Sequence, residues 1–172
     1  MSFEHSDFLD MSSPPAKQAA YAQLLAQTRA VFEGERDGLA NLAQFSALIF
    51  NTVPGLNWAG FYMARGEELV LGPFQGKLAC VRIPFSRGVC GACARTRSVQ
   101  CIEDVHAFPG HIACDSASAS ELVLPVLVDG QLKAVFDLDS PLPARFDADD
   151  VRGFEAALAV LSAATDWASL PG

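Results

Sequence analysis

The chain has 172 residues, 51% of them hydrophobic and 19% charged, with a net charge of −8. That length and composition suit one domain with a single substantial core and exclude a disordered chain. The acidic balance and the scatter of twelve Lys and Arg exclude a nucleic-acid binder, and no polybasic run is present for an anionic membrane surface.

Residues 1–14, ending at Pro14-Pro15, read as a mobile N-terminal arm, followed by one domain over 15–168. The opening MSFEHSDFLDMSSPP lacks the basic-then-apolar order of a secretion signal, so a reducing, cytoplasmic setting is expected. The most apolar run, Ala156 to Thr165, is too short and alanine-rich to span a bilayer.

Ala16 to Phe32 reads as a helix, and Gly38 to Thr52 as a second, with Leu39, Leu42, Phe45, Ile49 and Phe50 among its apolar positions. Pro54-Gly55 stops it, and the period then changes. Asn57 to Ala64 is strand-like, Arg65-Gly66-Glu67 has turn chemistry, and Glu68 to Leu71 returns as a hairpin partner. Lys77 to Phe85 reads as a further strand, Val89 to Arg97 as a short helix started at Gly88, and Val99 to Ile102 as a short strand.

Residues 106–120 carry no period and form the longest loop. Glu121 to Val128 and Leu132 to Leu138 flank Asp129-Gly130-Gln131, a hairpin signal. Asp147 to Trp167 closes the chain as a helix with Asp147 as its N-cap. This order predicts an α+β fold, a mainly antiparallel sheet of six strands covered by helices.

All five cysteines fall between Gly72 and Glu121. Three chemistries compete for them. Packing as small hydrophobes suits Cys101 and Cys80, and is open for Cys93. A zinc site would use Cys90 and Cys93 with His106, His111 and Cys114, but only one CxxC knuckle is present where structural sites usually pair two. A redox system needs a thiolate stabilised in its loop and a second thiol that reaches it. Cys114 as attacker with Cys80 or Cys90 as partner meets that requirement. A thioredoxin-like role for Cys90-Gly-Ala-Cys93 conflicts with the hairpin-rich order.

Asp137 and Asp139 lie two apart on one strand and share a face, with Phe136 and Leu138 on the core side. Such a pair either sits in solvent at a strand end or lines a pocket where it holds an ammonium group or shares a proton. Glu121 joins them if the hairpin register allows. Trp58, Gly60 and Tyr62 share a face that is either core or the wall of a small-ligand site.

Taken together, NWAGFY, LGPFQGKLAC, GVCG, PGHIACD, SELVLPV and FDLDS resemble the free methionine-(R)-sulfoxide reductases, single-domain enzymes of the GAF fold. The resemblance runs from about Tyr21 to Ala163. It implies Cys114 as the catalytic cysteine, Cys80 as the main resolving partner and Cys90 as a third, supporting thiol. It implies Glu121, Asp137 and Asp139 as the acidic cluster for the sulfoxide oxygen and substrate amine, and Trp58 and Tyr62 as the wall against the methyl end. No bound cofactor or metal is implied; thioredoxin would be the external reductant, and the protein a cytosolic homodimer. Cys93 and Cys101 fall outside the pattern. A ligand-binding GAF sensor without chemistry and a small zinc-binding interaction domain are the rival readings.

Overall fold

The computed structural model describes residues 8–110 and 116–170. Chain order runs α1 (Pro14–Val31), α2 (Gly38–Thr52), β1 (Trp58–Arg65), β2 (Glu68–Gly76), β3 (Arg82–Pro84), α3 (Gly88–Thr96), β4 (Gln100–Ile102), β5 (Ser120–Val128), β6 (Gln131–Ser140) and α4 (Ala148–Ala164). The strands form one sheet in the order β3-β2-β1-β6-β5-β4, and every neighbouring pair is antiparallel. This is the α+β architecture expected. No helix among the described residues is long and apolar enough to cross a membrane.

Helix starts follow capping chemistry. Ser13 Oγ accepts the N–H of Ala16 ahead of two prolines that carry no N–H, and Asp37 accepts that of Ala40. Asp147 caps α4 through a reciprocal capping box with Asp150. Asp129 and Gly130, both at positive φ, close the β5–β6 hairpin in two residues. That turn sets the pairing next to it, and a bulge at Lys133, between the Leu127–Leu132 and Val126–Ala134 pairs, shifts the register by one and so decides which side chains share a face farther along the hairpin.

One face carries Ala59, Phe61, Leu122, Leu124, Phe136 and Leu138, and it packs with Phe45 and Ile49 of α2 and Phe154, Leu158 and Leu161 of α4. The ring centroids of Phe61 and Phe136 lie 4.7 Å apart, and Phe45 meets Phe136 edge-on at 5.0 Å. Phe136 is fully buried, so its size fills the core. The opposite face carries Trp58, Tyr62, Val123 and Val135, covered by Val89, Cys90 and Cys93 of α3. The covering of that second face is thinner, and the charged cluster lies there.

Several boundaries differ from expectation. β2 runs on to Gly76, past the predicted stop at Leu71. The strand predicted over Lys77 to Phe85 shrinks to the three residues of β3, because the carbonyls of Lys77 and Cys80 are taken by side-chain donors instead of a ladder. The closing helix ends at Ala164, short of Trp167, where Asp166 donates its N–H to the Arg36 carbonyl. Residues 1–7 of the predicted arm lie outside the described residues. Its later part is docked: Leu9 is buried in the core and donates its N–H to the Thr52 carbonyl at 2.8 Å.

Candidate active site

The sheet register assembles the acidic residues. Trp58 pairs with Asp139, and Asp139 with Glu121 on its other side, so these three form one row across β1, β6 and β5. In the next row Gly60 pairs with Asp137, and Asp137 with Val123. Glu121 therefore joins Asp137 and Asp139 on the face that Trp58 and Tyr62 share, through the one-residue shift that the β6 bulge introduces. Glu121 and Asp137 are each only 6% exposed.

Cys90 comes to this cluster from α3, where it is the third helical residue. Its Sγ lies 3.8 Å from Glu121 Oε1, and that sulfur and one carboxylate oxygen from each of Glu121 and Asp137 lie within 4.8 Å of one another. Gly91 permits the approach. A Cβ there would stand 2.7 Å from the Pro84 carbonyl oxygen and 2.9 Å from that of Phe85, so any larger residue would push α3 away from the 84–85 backbone.

Electrostatics sort the groups. Burial, reinforced by Asp137 and Asp139, pushes Glu121 well above the usual carboxylate range. Burial also raises Asp137 to about 7, outweighing its hydrogen bonds with Cys90 and Glu121 and the Leu138 N–H. Asp137 Oδ1 is buried with no hydrogen-bond partner. The Cys90 thiol is held well above its ordinary value by burial first, then by Asp137, Glu121 and Asp139. A helix N-terminus favours a thiolate by about 0.3–1 kcal/mol, too little to overcome burial among carboxylates. Cys90 is thus a neutral thiol that donates toward Glu121, and unsuited to attack as a thiolate. Cys93, fully buried, rises to about 12 by burial and points its thiol at the Val123 carbonyl. Packing accounts for it.

Aromatic residues build the adjoining wall. The Trp58 and Tyr62 rings stack at 5.8 Å, and Trp58 stacks on Phe74 at 5.2 Å. Gly60 makes room, since a Cβ there would stand 2.3 Å from Phe74 Cβ and 2.8 Å from the Trp58 ring. The polar ends of both rings grip the 77–81 segment. Trp58 Nε1–H donates to the Lys77 carbonyl at 3.1 Å, and the Tyr62 hydroxyl to the Cys80 carbonyl at 3.0 Å. Half-buried Cys80 is thereby tied to the wall.

Cys114 and His111 lie outside the described residues. The ends of the segment that carries them are anchored close to the cluster. Gly88, at the start of α3, donates its N–H to the Gly110 carbonyl at 3.2 Å, and Asn57, just before β1, donates to buried Ser118 at 3.2 Å. Asn57 and Ser118 were not singled out from sequence; an amide and a hydroxyl in polar loops carry no signal there. His106 is exposed, so among the described residues the proposed zinc ligands do not converge. Cys101 corrects the packing reading. It is exposed on the edge strand β4, with its thiol 3.6 Å from the Phe146 carbonyl. A groove of about 540 Å³ between α4 and β5, lined by Arg97, Val99, Leu127, Glu155 and Leu158, gathers no comparable cluster of titratable groups.

Residues 40–166 match the GAF domain family. The free methionine-R-sulfoxide reductase of Escherichia coli is 49% identical over 154 residues, 88% of this chain and 93% of that protein. The yeast (Saccharomyces cerevisiae) enzyme of the same name is 41% identical over 145 residues, covering 80% of this chain and 81% of its own. Among solved structures, the X-ray structure of the free methionine-R-sulfoxide reductase of Neisseria meningitidis in complex with its substrate superposes with a TM-score of 0.84. It is 40% identical, over 94% of this chain and 95% of that one.

Proposed function

The chain belongs to the GAF-domain family and within it to the free methionine-R-sulfoxide reductases, and from that premise we propose how its residues carry out the reduction of free methionine (R)-sulfoxide to methionine. The observation that carries the residue assignment is the buried, partnerless Asp137 Oδ1 beside Glu121 and under the Trp58–Tyr62 wall. A buried carboxylate oxygen without a donor awaits one, and the α-ammonium of an unblocked amino acid supplies both a donor and a positive charge. Asp139, in the same row as Trp58 and Glu121, adds to the negative field. A peptide-bound methionine lacks that ammonium and leaves the oxygen unmatched.

Chemistry follows from the raised carboxyl. Attack of the Cys114 thiolate on the sulfoxide sulfur is poor unless the departing oxygen gains a proton. Glu121, whose carboxyl burial and its acidic neighbours push well above the usual range, is the proton donor in this scheme. Thiolate, sulfoxide and one proton become a sulfenic acid on Cys114 and the thioether methionine. The Cys80 thiol then condenses with the sulfenic acid, releasing water and forming a disulfide. A thioredoxin dithiol reduces that disulfide by exchange and returns both thiols. Cys90 supports the step as a neutral donor to Glu121, and two chains associate as a homodimer in a reducing cytoplasm. Trp58 and Tyr62 enclose the methyl end of the substrate.

The test is NADPH consumption through thioredoxin reductase and thioredoxin, with free methionine (R)-sulfoxide, its (S) epimer and N-acetylated (R)-sulfoxide in parallel. Turnover of the free (R) form alone is expected. Equal turnover of the N-acetylated form would remove the ammonium from the recognition scheme. Silence with all three, with thiols confirmed reduced, would leave a ligand sensor.

A further inference from the structure

We propose that Cys90, Glu121 and Asp137 also form a binding site for Zn²⁺, and that zinc there and substrate exclude one another. One sulfur and two carboxylate oxygens lie within 4.8 Å of each other on three elements of the packed fold, α3, β5 and β6. A zinc ion with sulfur at about 2.3 Å and oxygen at about 2.0–2.2 Å sets a tetrahedral S–O edge of about 3.5 Å. The Cys90 Sγ to Glu121 Oε1 separation is 3.8 Å, within a few tenths of an ångström of that edge, and the Asp137 oxygen lies within 4.8 Å of both. The three residues are between 4% and 6% exposed, which shelters the ligands from water. Independently of that spacing, Asp137 Oδ1 is buried with no hydrogen-bond partner, an oxygen that a cation satisfies directly.

Ligand type selects the metal. A thiolate beside two carboxylates suits borderline Zn²⁺ and disfavours Mg²⁺ and Ca²⁺, which take oxygen alone. Three protein ligands leave a fourth position for water, the arrangement of an open site. Binding displaces the Cys90 thiol proton, and any carboxyl proton, to solvent; no electron is transferred. The two carboxylates and one thiolate bring three negative charges against two positive, so the pocket floor becomes less repulsive. The set differs from the CxxC pairing of Cys90 with Cys93, whose thiol points at the Val123 carbonyl. Mutual exclusion follows because the substrate ammonium is assigned to Asp137 too. That half rests on the proposed function, whereas the metal site does not.

Titration of the reduced, metal-free protein with Co²⁺ tests both halves, since thiolate-bound cobalt shows a charge-transfer band in the near ultraviolet. One equivalent is expected to produce the band. Cys80→Ser keeps it, Cys90→Ser loses it, and Asp137→Asn weakens cobalt binding at least tenfold with the circular dichroism unchanged. Zn²⁺ should displace the cobalt, and saturating L-methionine should release the zinc to a chromophoric chelator. Absence of the band in the wild type, its survival in Cys90→Ser, or unaltered binding in Asp137→Asn would each overturn the site. Zinc retained equally at saturating methionine would overturn the exclusion, whereas failure of the reductase reading would appear separately, as no turnover by the metal-free protein.

Discussion

Asp137 is the residue at which fold and proposed function pull in opposite directions. Its folded-state pKa of about 7 lies above the ordinary 3.8, so between those values the folded chain holds a proton that the unfolded chain has lost. Stability therefore falls as pH rises from about 4 to about 7 and stays at the lower level above. Asp137→Asn removes that slope. We expect the variant to be more stable than wild type at pH 8 by roughly 1–3 kcal/mol, with little difference near pH 4, in denaturant unfolding of the ligand-free protein. A variant less stable at pH 8 would mean that the carboxylate is satisfied in the folded state. Tyr62 invites a second test, because its ring is the proposed substrate wall and its hydroxyl donates to the Cys80 carbonyl. Tyr62→Phe keeps the ring and removes the hydroxyl bond to the carbonyl, a loss of about 1 kcal/mol in the ordering of that segment. The steady-state rate with thioredoxin should fall several-fold further than the single-turnover yield of methionine, which needs no resolving thiol. Equal losses in both would place the hydroxyl in substrate binding alone.

At the level of elements, α1 and the start of α4 are joined by an ionic network around Asp150. Lys17 Nζ meets Asp150 at 2.6 Å and Asp147 at 2.8 Å, the Tyr21 hydroxyl donates to Asp150 at 2.6 Å, and Arg145 reaches Asp150 at 3.3 Å. Asp150 is fully buried. Removing one cation leaves its charge partly uncompensated, so Lys17→Met should cost about 2–4 kcal/mol in urea unfolding at neutral pH. The double variant Lys17→Met, Asp150→Leu should recover part of that, and a Lys17→Met cost below about 0.5 kcal/mol would show the network to be neutral. In the sequence this network was half legible: Asp147 announced itself as an N-cap before an apolar helix, but nothing marked Lys17 in α1 as its partner 130 residues away. The same contrast runs through the site. Alternation put Asp137 with Asp139, and Trp58 with Tyr62, because a strand has a strict period of two. Asp129-Gly130 closes the hairpin, but the turn alone would set Glu121 opposite Leu138; a bulge at Lys133, which the sequence does not announce, shifts the register by one and sets Glu121 opposite Asp139. The 77–81 segment alternates like a strand, yet beside one backbone bond, from the Leu71 N–H to the Val81 carbonyl, side chains distant in sequence hold it. Cys101 was misplaced for a related reason. SVQCI has strand composition, but composition does not say that the strand lies at the sheet edge, where its thiol is exposed.

For the whole molecule, the pocket floor concentrates acidic groups in a chain that already carries a net charge of −8. With Glu121 and Asp137 buried beside Asp139, the ligand-free fold carries both desolvation and like-charge repulsion, and the strands that bear them, β5 and β6, are central to the sheet. A ligand whose ammonium meets Asp137 relieves both at once, so binding should stabilise the entire cooperative unit instead of a local loop. At a hundred times its dissociation constant a ligand adds about 2.7 kcal/mol, which for a chain of this size raises Tm by about 5–10 °C. L-Methionine, the reaction product, is expected to give such a shift, and N-acetyl-L-methionine at the same concentration none. The shift should grow between pH 5 and pH 8 in the wild type, because the ammonium binds the ionised Asp137 more tightly, and should be nearly flat over that range in Asp137→Asn. Differential scanning calorimetry of the two proteins with the two ligands decides the matter. Equal shifts from both ligands would place the affinity in the Trp58–Tyr62 wall and leave the acidic cluster to proton transfer alone.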